Sequence, residues 1–142
     1  SKIKFKNKYI FLIDESYNSN PLSLESAIKN FDLINVKSSK KHLVMGDMLE
    51  LGKHTKKLHI QISKVINLSS IGRVSVLGKA AKETYKKIKT EKKGIILKGT
   101  SKIFDLIVND LNNNDYLMIK GSNSTGLNKF VKILKRKKLN VI

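Results

Sequence analysis

Five short apolar runs, residues 9–13, 42–45, 74–77, 94–97 and 116–119, constrain this chain more than any other feature, and each is bounded by charged or glycine-containing segments. Runs of four or five apolar residues without polar alternation predict strands buried on both faces. Between them lie helical spacings: Leu24, Ala27, Ile28 and Phe31; Leu58, Ile62, Val65 and Ile66; Phe104, Ile107, Val108 and Leu111; Leu127, Phe130, Val131 and Leu134. Residues 79–89 give a weaker fifth helix. Parallel neighbours need a crossover connection, so strict strand and helix alternation predicts an α/β three-layer sandwich, a mostly parallel sheet with helices on both faces. Residues 2–5 would add a short antiparallel edge strand, for about six strands in all.

Local signals support these elements. Asn20 before Pro21 places a capping side chain ahead of a proline whose missing N–H costs nothing at the first helical position. Thr100 or Ser101 would cap another helix, and Asn112, Asn113 and Asn114 would make a polar turn before the last strand. There is no internal repeat and no linker rich in proline or glycine, so the 142 residues read as one domain spanning 1–142.

The formal net charge of +18 is the footprint expected of a nucleic-acid binder. Of the 29 basic residues, however, all but Arg73 and Arg136 are lysine, whereas base and phosphate recognition draws on the bidentate guanidinium of arginine. The lysines are scattered along the chain, which reads as compositional drift, and the run Lys135-Arg136-Lys137-Lys138 as a solvated helix end. The alternative is a basic nucleic-acid or nucleotide-binding module. No apolar run approaches the roughly 18 residues of a membrane span. The opening SKIKFKNKYIFLI meets Asp14 and Glu15 too early for a secretion signal, and cysteine is absent, so a cytoplasmic location is expected.

In an open parallel sheet, ligands bind at the carboxyl ends of the strands. The segments there are Asp14 to Pro21, Gly46 to Gly52, Gly78-Lys79, Gly99-Thr100-Ser101 and Lys120 to Gly126. Glycine there admits close backbone approach, although Gly78 and Gly99 taken alone read as tight turns. Four of the eleven acidic residues, Asp14, Glu15, Asp47 and Glu50, fall in the first two segments. Such carboxylates suit ribose hydroxyls, a substrate ammonium or hydrated magnesium, and they would repel a nucleic-acid backbone.

These residues carry a family resemblance. DESYNSNP at residues 14–21 is similar to the D-D-S-Y-N-A-N-P signature that opens the C-terminal domain of MurF-type Mur ligases. LVMGDMLELG at 43–52 resembles V-L-G-D-M-L-E-L-G, and His59 stands where that family has a histidine, a residue that reads here as packing or capping. KGSNSTG at 120–126 resembles K-G-S-R-S-M-G. Three positions depart from the pattern: Glu15 replaces an aspartate, Asn123 an arginine and Ser63 a glycine.

The resemblance implies a Rossmann-like domain that closes over the other two domains of a ligase, an N-terminal one holding a UDP-sugar peptide and a central one binding ATP. It implies that ATP phosphorylates the carboxylate of UDP-N-acetylmuramoyl-tripeptide, that D-alanyl-D-alanine attacks the acyl phosphate, and that Mg2+, bound mainly by the central domain, offsets phosphate charge. On the same basis Asp14, Glu15, Tyr17, Asn18 and Asn20 would face the nucleotide, Asp14 or Glu15 at the ribose. Asp47, Glu50, Ser122 and Ser124 would line the dipeptide pocket, and Lys120 would be catalytic, near the dipeptide carboxylate or the transferring phosphate. No metal ligand is assigned to this chain. It contains no G-K-S or G-K-T phosphate loop, so alone it is expected to be inactive.

Overall fold

A computed structural model describes the backbone of residues 1–141 and the side chains of residues 1–136 other than Asn123. The strands are β1 (Lys2–Phe5), β2 (Lys8–Glu15), β3 (Lys41–Gly46), β4 (Arg73–Leu77), β5 (Lys93–Leu97) and β6 (Asp115–Lys120). The helices are α1 (Pro21–Asp32), α2 (Thr55–Leu68), α3 (Ala81–Lys87), α4 (Lys102–Asn109) and α5 (Leu127–Val141). The sheet order is β1-β2-β6-β3-β4-β5, with β1 antiparallel to β2 and every other pair parallel. This is the expected Rossmann-like sandwich.

From β2 to β5 the chain steps one way along the sheet, then returns to insert β6 between β2 and β3. Crossovers of one hand must then put the returning helix on the opposite face. Accordingly α1, α2 and α3 pack Leu24, Phe31, Ile62, Ile66 and Ala81 against Leu43, Met45 and Met118. On the other face α4 and α5 pack Ile103, Ile107, Phe130 and Val131 against Leu12, Val44, Leu117 and Ile119. The alternate residues of β3 and β6 thus enter opposite cores, which is why their sequences are apolar without interruption.

Helix starts follow two patterns. Asn20 accepts from Ser23 N at 2.9 Å while Ser23 Oγ accepts from Asn20 N at 3.1 Å, a reciprocal cap. Ser101 stands at the start of α4 but makes no side-chain cap, contrary to expectation. The amides of Lys102, Ile103 and Phe104 instead donate to the carbonyls of Gly99, Thr100 and Ser101, so the first turn closes on backbone alone.

Three helix ends give part of the charge a structural role, because lysine ammoniums seal them. Lys41, only 1% exposed, donates from Nζ to Asp32 O at the end of α1 (3.0 Å) and to Ser70 Oγ (2.7 Å). Lys92 reaches Ser69 O (2.9 Å) and Ile71 O (2.6 Å) after α2. Lys8 donates to the carbonyls of Ile107, Val108 and Leu111 at the end of α4. Asn67 serves α3, donating to Lys87 O and accepting from Lys89 N. Each cation satisfies carbonyls without an intrahelical partner and meets the negative end of the helix dipole. Burial pushes the Lys92 ammonium below its ordinary range, so such a position costs something and is held by its carbonyls.

The asparagine turn is likewise more than polar filler. Asn113 Oδ1 accepts from Tyr9 N at 2.8 Å, Asn114 N donates to Tyr9 O at 2.6 Å, and Asn114 takes a left-handed φ of 68°. The same edge holds the buried Asp115, which accepts from Asn112 N at 2.8 Å and lies 3.0 Å from His42 Nε2. Lys41→Met keeps the apolar stem of the side chain but leaves the Asp32 carbonyl and Ser70 hydroxyl without their donor. It should lower unfolding stability in urea by about 1.5–3 kcal/mol; a loss under about 0.5 kcal/mol, the range of an ordinary surface change, would show that the lysine seal is not structural.

Candidate functional site

β2 extends two residues past its apolar run, because Asp14 and Glu15 pair in register with Ile119 and Lys120 of β6. Asp14 is therefore a strand residue rather than a loop residue, and both its oxygens are engaged. Oδ1 accepts from Ser16 N (3.1 Å) and Ser16 Oγ (2.5 Å), and Oδ2 from Lys135 Nζ of α5 (2.9 Å). Burial alone would push this carboxyl up, but the bonds from Ser16 and Lys135 outweigh it and hold it below its ordinary value. Lys135 is thus an intramolecular partner although its side chain stays 43% exposed, while Arg136 is exposed and Lys137 and Lys138 lie outside the described side chains.

The nucleotide set divides in two. The Asn20 side chain is committed to capping α1, and Asp14 to Ser16 and Lys135. Glu15, Tyr17 and Asn18 remain on the open side: Tyr17 is 57% exposed and hence no core residue, and Asn18 is exposed with only its carbonyl engaged. That carbonyl accepts from the Nζ of Lys120, a side chain only 2% exposed. Burial pushes the Lys120 ammonium down and the Glu15 charge partly restores it. Lys120 thereby ties the 16–20 loop to β6 at the centre of the sheet edge. Nearby in sequence, the hydroxyls of Ser19 and Ser122 are buried with no hydrogen-bond partner among the described residues, a state that polar atoms rarely keep without water or ligand.

The loop after β3 is built around His59, which is wholly buried on α2. Its Nε2 accepts from Met48 N at 3.0 Å, which leaves Nδ1 as the protonated nitrogen, donating to Thr55 O at 2.7 Å. The imidazole shapes the loop and takes no place among the site residues. Ser63, where the family has glycine, turns its hydroxyl back onto Ile60 O at 2.5 Å. Asp47 Oδ1 accepts from Ala81 N at 2.7 Å, capping α3 from the neighbouring loop. Gly78, at φ 116°, makes room for that carboxylate, since a Cβ there would collide with both its oxygens. Glu50, at φ 62°, is exposed at the loop tip.

Asp47 and Ser124 line one cleft of about 710 Å³ at the ends of β3, β4 and β5, a size usual for small-molecule sites. Its other walls include Lys79, Lys82, Lys98, Thr100 and Thr125, over a floor of Leu49, Leu77, Ile96 and Leu97. Of the expected dipeptide set, Asp47 and Ser124 line this cleft, while Glu50, Ser122 and Lys120 are not among its lining residues. Sequence reading gave no role to Lys79, Lys82 or Lys98. The signal lay in the paired strings Gly78-Lys79 and Lys98-Gly99 at the ends of adjacent strands, read there as tight turns.

The Asp14 network gives a titration test. A carboxyl whose folded pKa lies below its unfolded value contributes stability that is fully present above about 3.8 and is lost as pH falls through the lower folded value. Asp14→Asn should remove this acid limb, so wild type and variant converge in stability at the lowest pH; a gap that stays constant from pH 7 down to 2 would contradict the network.

Comparisons with known proteins agree with this architecture. The family model described as "Mur ligase, glutamate ligase domain" matches residues 3–123. The UDP-N-acetylmuramoyl-tripeptide--D-alanyl-D-alanine ligase of Buchnera aphidicola subsp. Acyrthosiphon pisum is 32% identical over 123 residues, 87% of this chain and 26% of that protein. Its counterpart in Buchnera aphidicola subsp. Baizongia pistaciae is 43% identical over 77 residues, 54% of this chain and 16% of that protein. The chain thus matches only about a quarter or less of the length of these relatives. In fold, it superposes on MurF ligase from Thermotoga maritima in complex with ADP with a TM-score of 0.72 at 22% identity, covering 99% of this chain and 31% of that one. MurF from Acinetobacter baumannii gives 0.74 at 21% identity, over 96% and 29% respectively. With the family model spanning most of its length and the sheet order and loop motifs in place, the chain belongs to the Mur ligase family, as a C-terminal domain of the MurF type.

Proposed function

We propose that this domain serves an ATP-dependent ligase that joins D-alanyl-D-alanine to UDP-N-acetylmuramoyl-tripeptide in the cytoplasm. The observation that carries the reading is the conjunction of the 3–123 family match with relatives bearing that ligase name over up to 87% of the chain. The domain contributes positioning, which in a two-substrate reaction is a large share of catalysis. The UDP-sugar peptide, the ATP polyphosphate and the magnesium ion fall to the N-terminal and central domains of such a ligase.

The residues that fit a nucleoside are Glu15, a carboxylate able to accept from ribose hydroxyls, the exposed ring of Tyr17 for the base, and Asn18 beside it. Asp14 and Asn20 hold that loop in shape. Lys120 lies on β6, at the point where the connections leaving neighbouring strands turn to opposite faces, the usual crevice for a phosphate-bearing ligand. We assign it to the transferring phosphate, with its bond to Asn18 keeping the nucleoside loop in register, and with the hydroxyls of Ser19 and Ser122 as further donors nearby. The dipeptide takes the cleft bounded by Asp47 and Ser124.

Phosphate release by the full-length ligase, given ATP, magnesium and UDP-N-acetylmuramoyl-tripeptide, should require D-alanyl-D-alanine. Lys120→Met, which preserves volume, should lower kcat by about 100-fold, the usual cost of one lost transition-state donor. Release that ignores the dipeptide would overturn the ligase reading, and an unchanged kcat would remove Lys120 from the site.

A further inference from the structure

A closed ring of hydrogen bonds joins the 46–52 loop to α2 and α3. Asp47 Oδ1 accepts from Ala81 N at 2.7 Å, and Thr84 Oγ1, one turn further along α3, donates to His59 O at 2.6 Å. His59 Nε2 closes the ring by accepting, at 3.0 Å, from the amide of Met48, the residue after Asp47. Ala81, Thr84, His59 and Met48 are each at most 1% exposed, so these bonds are made away from bulk water, where they count for most.

The first turn of α2 holds the other leg of the loop. His59 Nδ1 donates to Thr55 O at 2.7 Å, and Thr55 Oγ1 donates to Gly52 O at 2.6 Å. Between these two anchors Glu50 and Gly52 take left-handed backbone angles, φ 62° and 55°. For glutamate that conformation is unfavourable and persists where the surroundings fix it.

The arrangement reaches the cleft through Asp47. One of its carboxylate oxygens is fixed on α3, the other makes no hydrogen bond among the described residues, and the residue lines the cleft at the ends of β3, β4 and β5. Its backbone is set in turn by Met48, whose amide meets a rigid, planar acceptor in His59. A side chain without an acceptor at that position would leave a buried amide unpaired, and the loop would shift to relieve it.

We infer that His59 is a positioning residue of the ligase: it touches no substrate, and it fixes the direction from which the Asp47 carboxylate enters the cleft. This rests on the dipeptide seat proposed above and adds to it the device that keeps the seat in shape.

The test uses the full-length ligase and its D47N, H59L, H59Q and H59L/D47N variants, each checked for folding by circular dichroism. Asp47→Asn keeps the oxygen that caps α3 and removes the charge, and it should raise KM for D-alanyl-D-alanine by about 10-fold, the range of a lost charge-assisted bond. H59L, close to histidine in volume but without ring nitrogens, should raise the same KM by about 5- to 20-fold and leave KM for ATP within about twofold. Glutamine can bring its amide oxygen near the position of Nε2, so H59Q should stay within about threefold of wild type. On the D47N background H59L should add less than about twofold, because changes that act through one group do not add. If D47N raises KM but H59L leaves it unchanged, or if the two effects multiply independently, the positioning role is overturned while the dipeptide seat stands. An unchanged KM in D47N would sink the seat, and the positioning role with it. Should H59L not fold, H59N, whose shorter amide cannot reach Met48 N, carries the same comparison.

Discussion

The lysine ammonium set against helix-terminal carbonyls is the interaction on which this structure depends. A helix leaves its last carbonyls unpaired, and at the amino edge of the sheet three of these ends lie close to the strands. Lys41, Lys92 and Lys8 reach them across the chain, and Lys8 does so over about a hundred residues of sequence. Fixing the helix ends at one edge fixes the helix starts at the other. The geometry of the 14–20, 46–52 and 98–101 segments, which lead into α1, α2 and α4, is therefore tied to bonds made on the far side of the sheet.

At the carboxyl edge the charges are distributed differently. Acids there are few and each has a particular setting: Asp14 is bound to Ser16 and Lys135, Glu15 lies beside Lys120, and Asp47 caps α3. Lysines at this edge divide between the buried Lys120 and the open group of Lys79, Lys82 and Lys98. The net charge of +18 is thus a sum over unlike roles, some of them structural and some left facing solvent in a cleft. A uniform basic surface for nucleic acid would not need acids placed at that edge.

Much of the fold was legible because its signals are local. Strands that enter two cores at once have no polar alternation, and the runs at 42–45 and 116–119 show it. The cap at Asn20 was readable because donor and acceptor are three residues apart. What escaped depends on distant partners. Nothing near Lys41 signals Asp32 O, and nothing near Asp14 signals Lys135, 121 residues on, so lysine looked like drift and Asp14 looked available to ligand. Ser101 failed as a cap for a different, local reason: backbone bonds from Lys102, Ile103 and Phe104 had already closed the turn. The candidate site was legible as a set of loops but not in its detail, because the burial of Lys120 and the cleft lined by Asp47 and Ser124 both depend on how distant segments pack.

The central proposal is that the carboxyl edge faces substrate while the amino edge holds the fold. Hydrogen–deuterium exchange on the full-length ligase, with and without a non-hydrolysable ATP analogue, UDP-N-acetylmuramoyl-tripeptide and D-alanyl-D-alanine, tests it directly. The account predicts added protection in residues 14–20, 46–52, 78–82, 98–101 and 120–126, with residues 33–40, 69–73, 88–92 and 109–114 unchanged. Protection concentrated in the second group, or spread evenly over both, would contradict it.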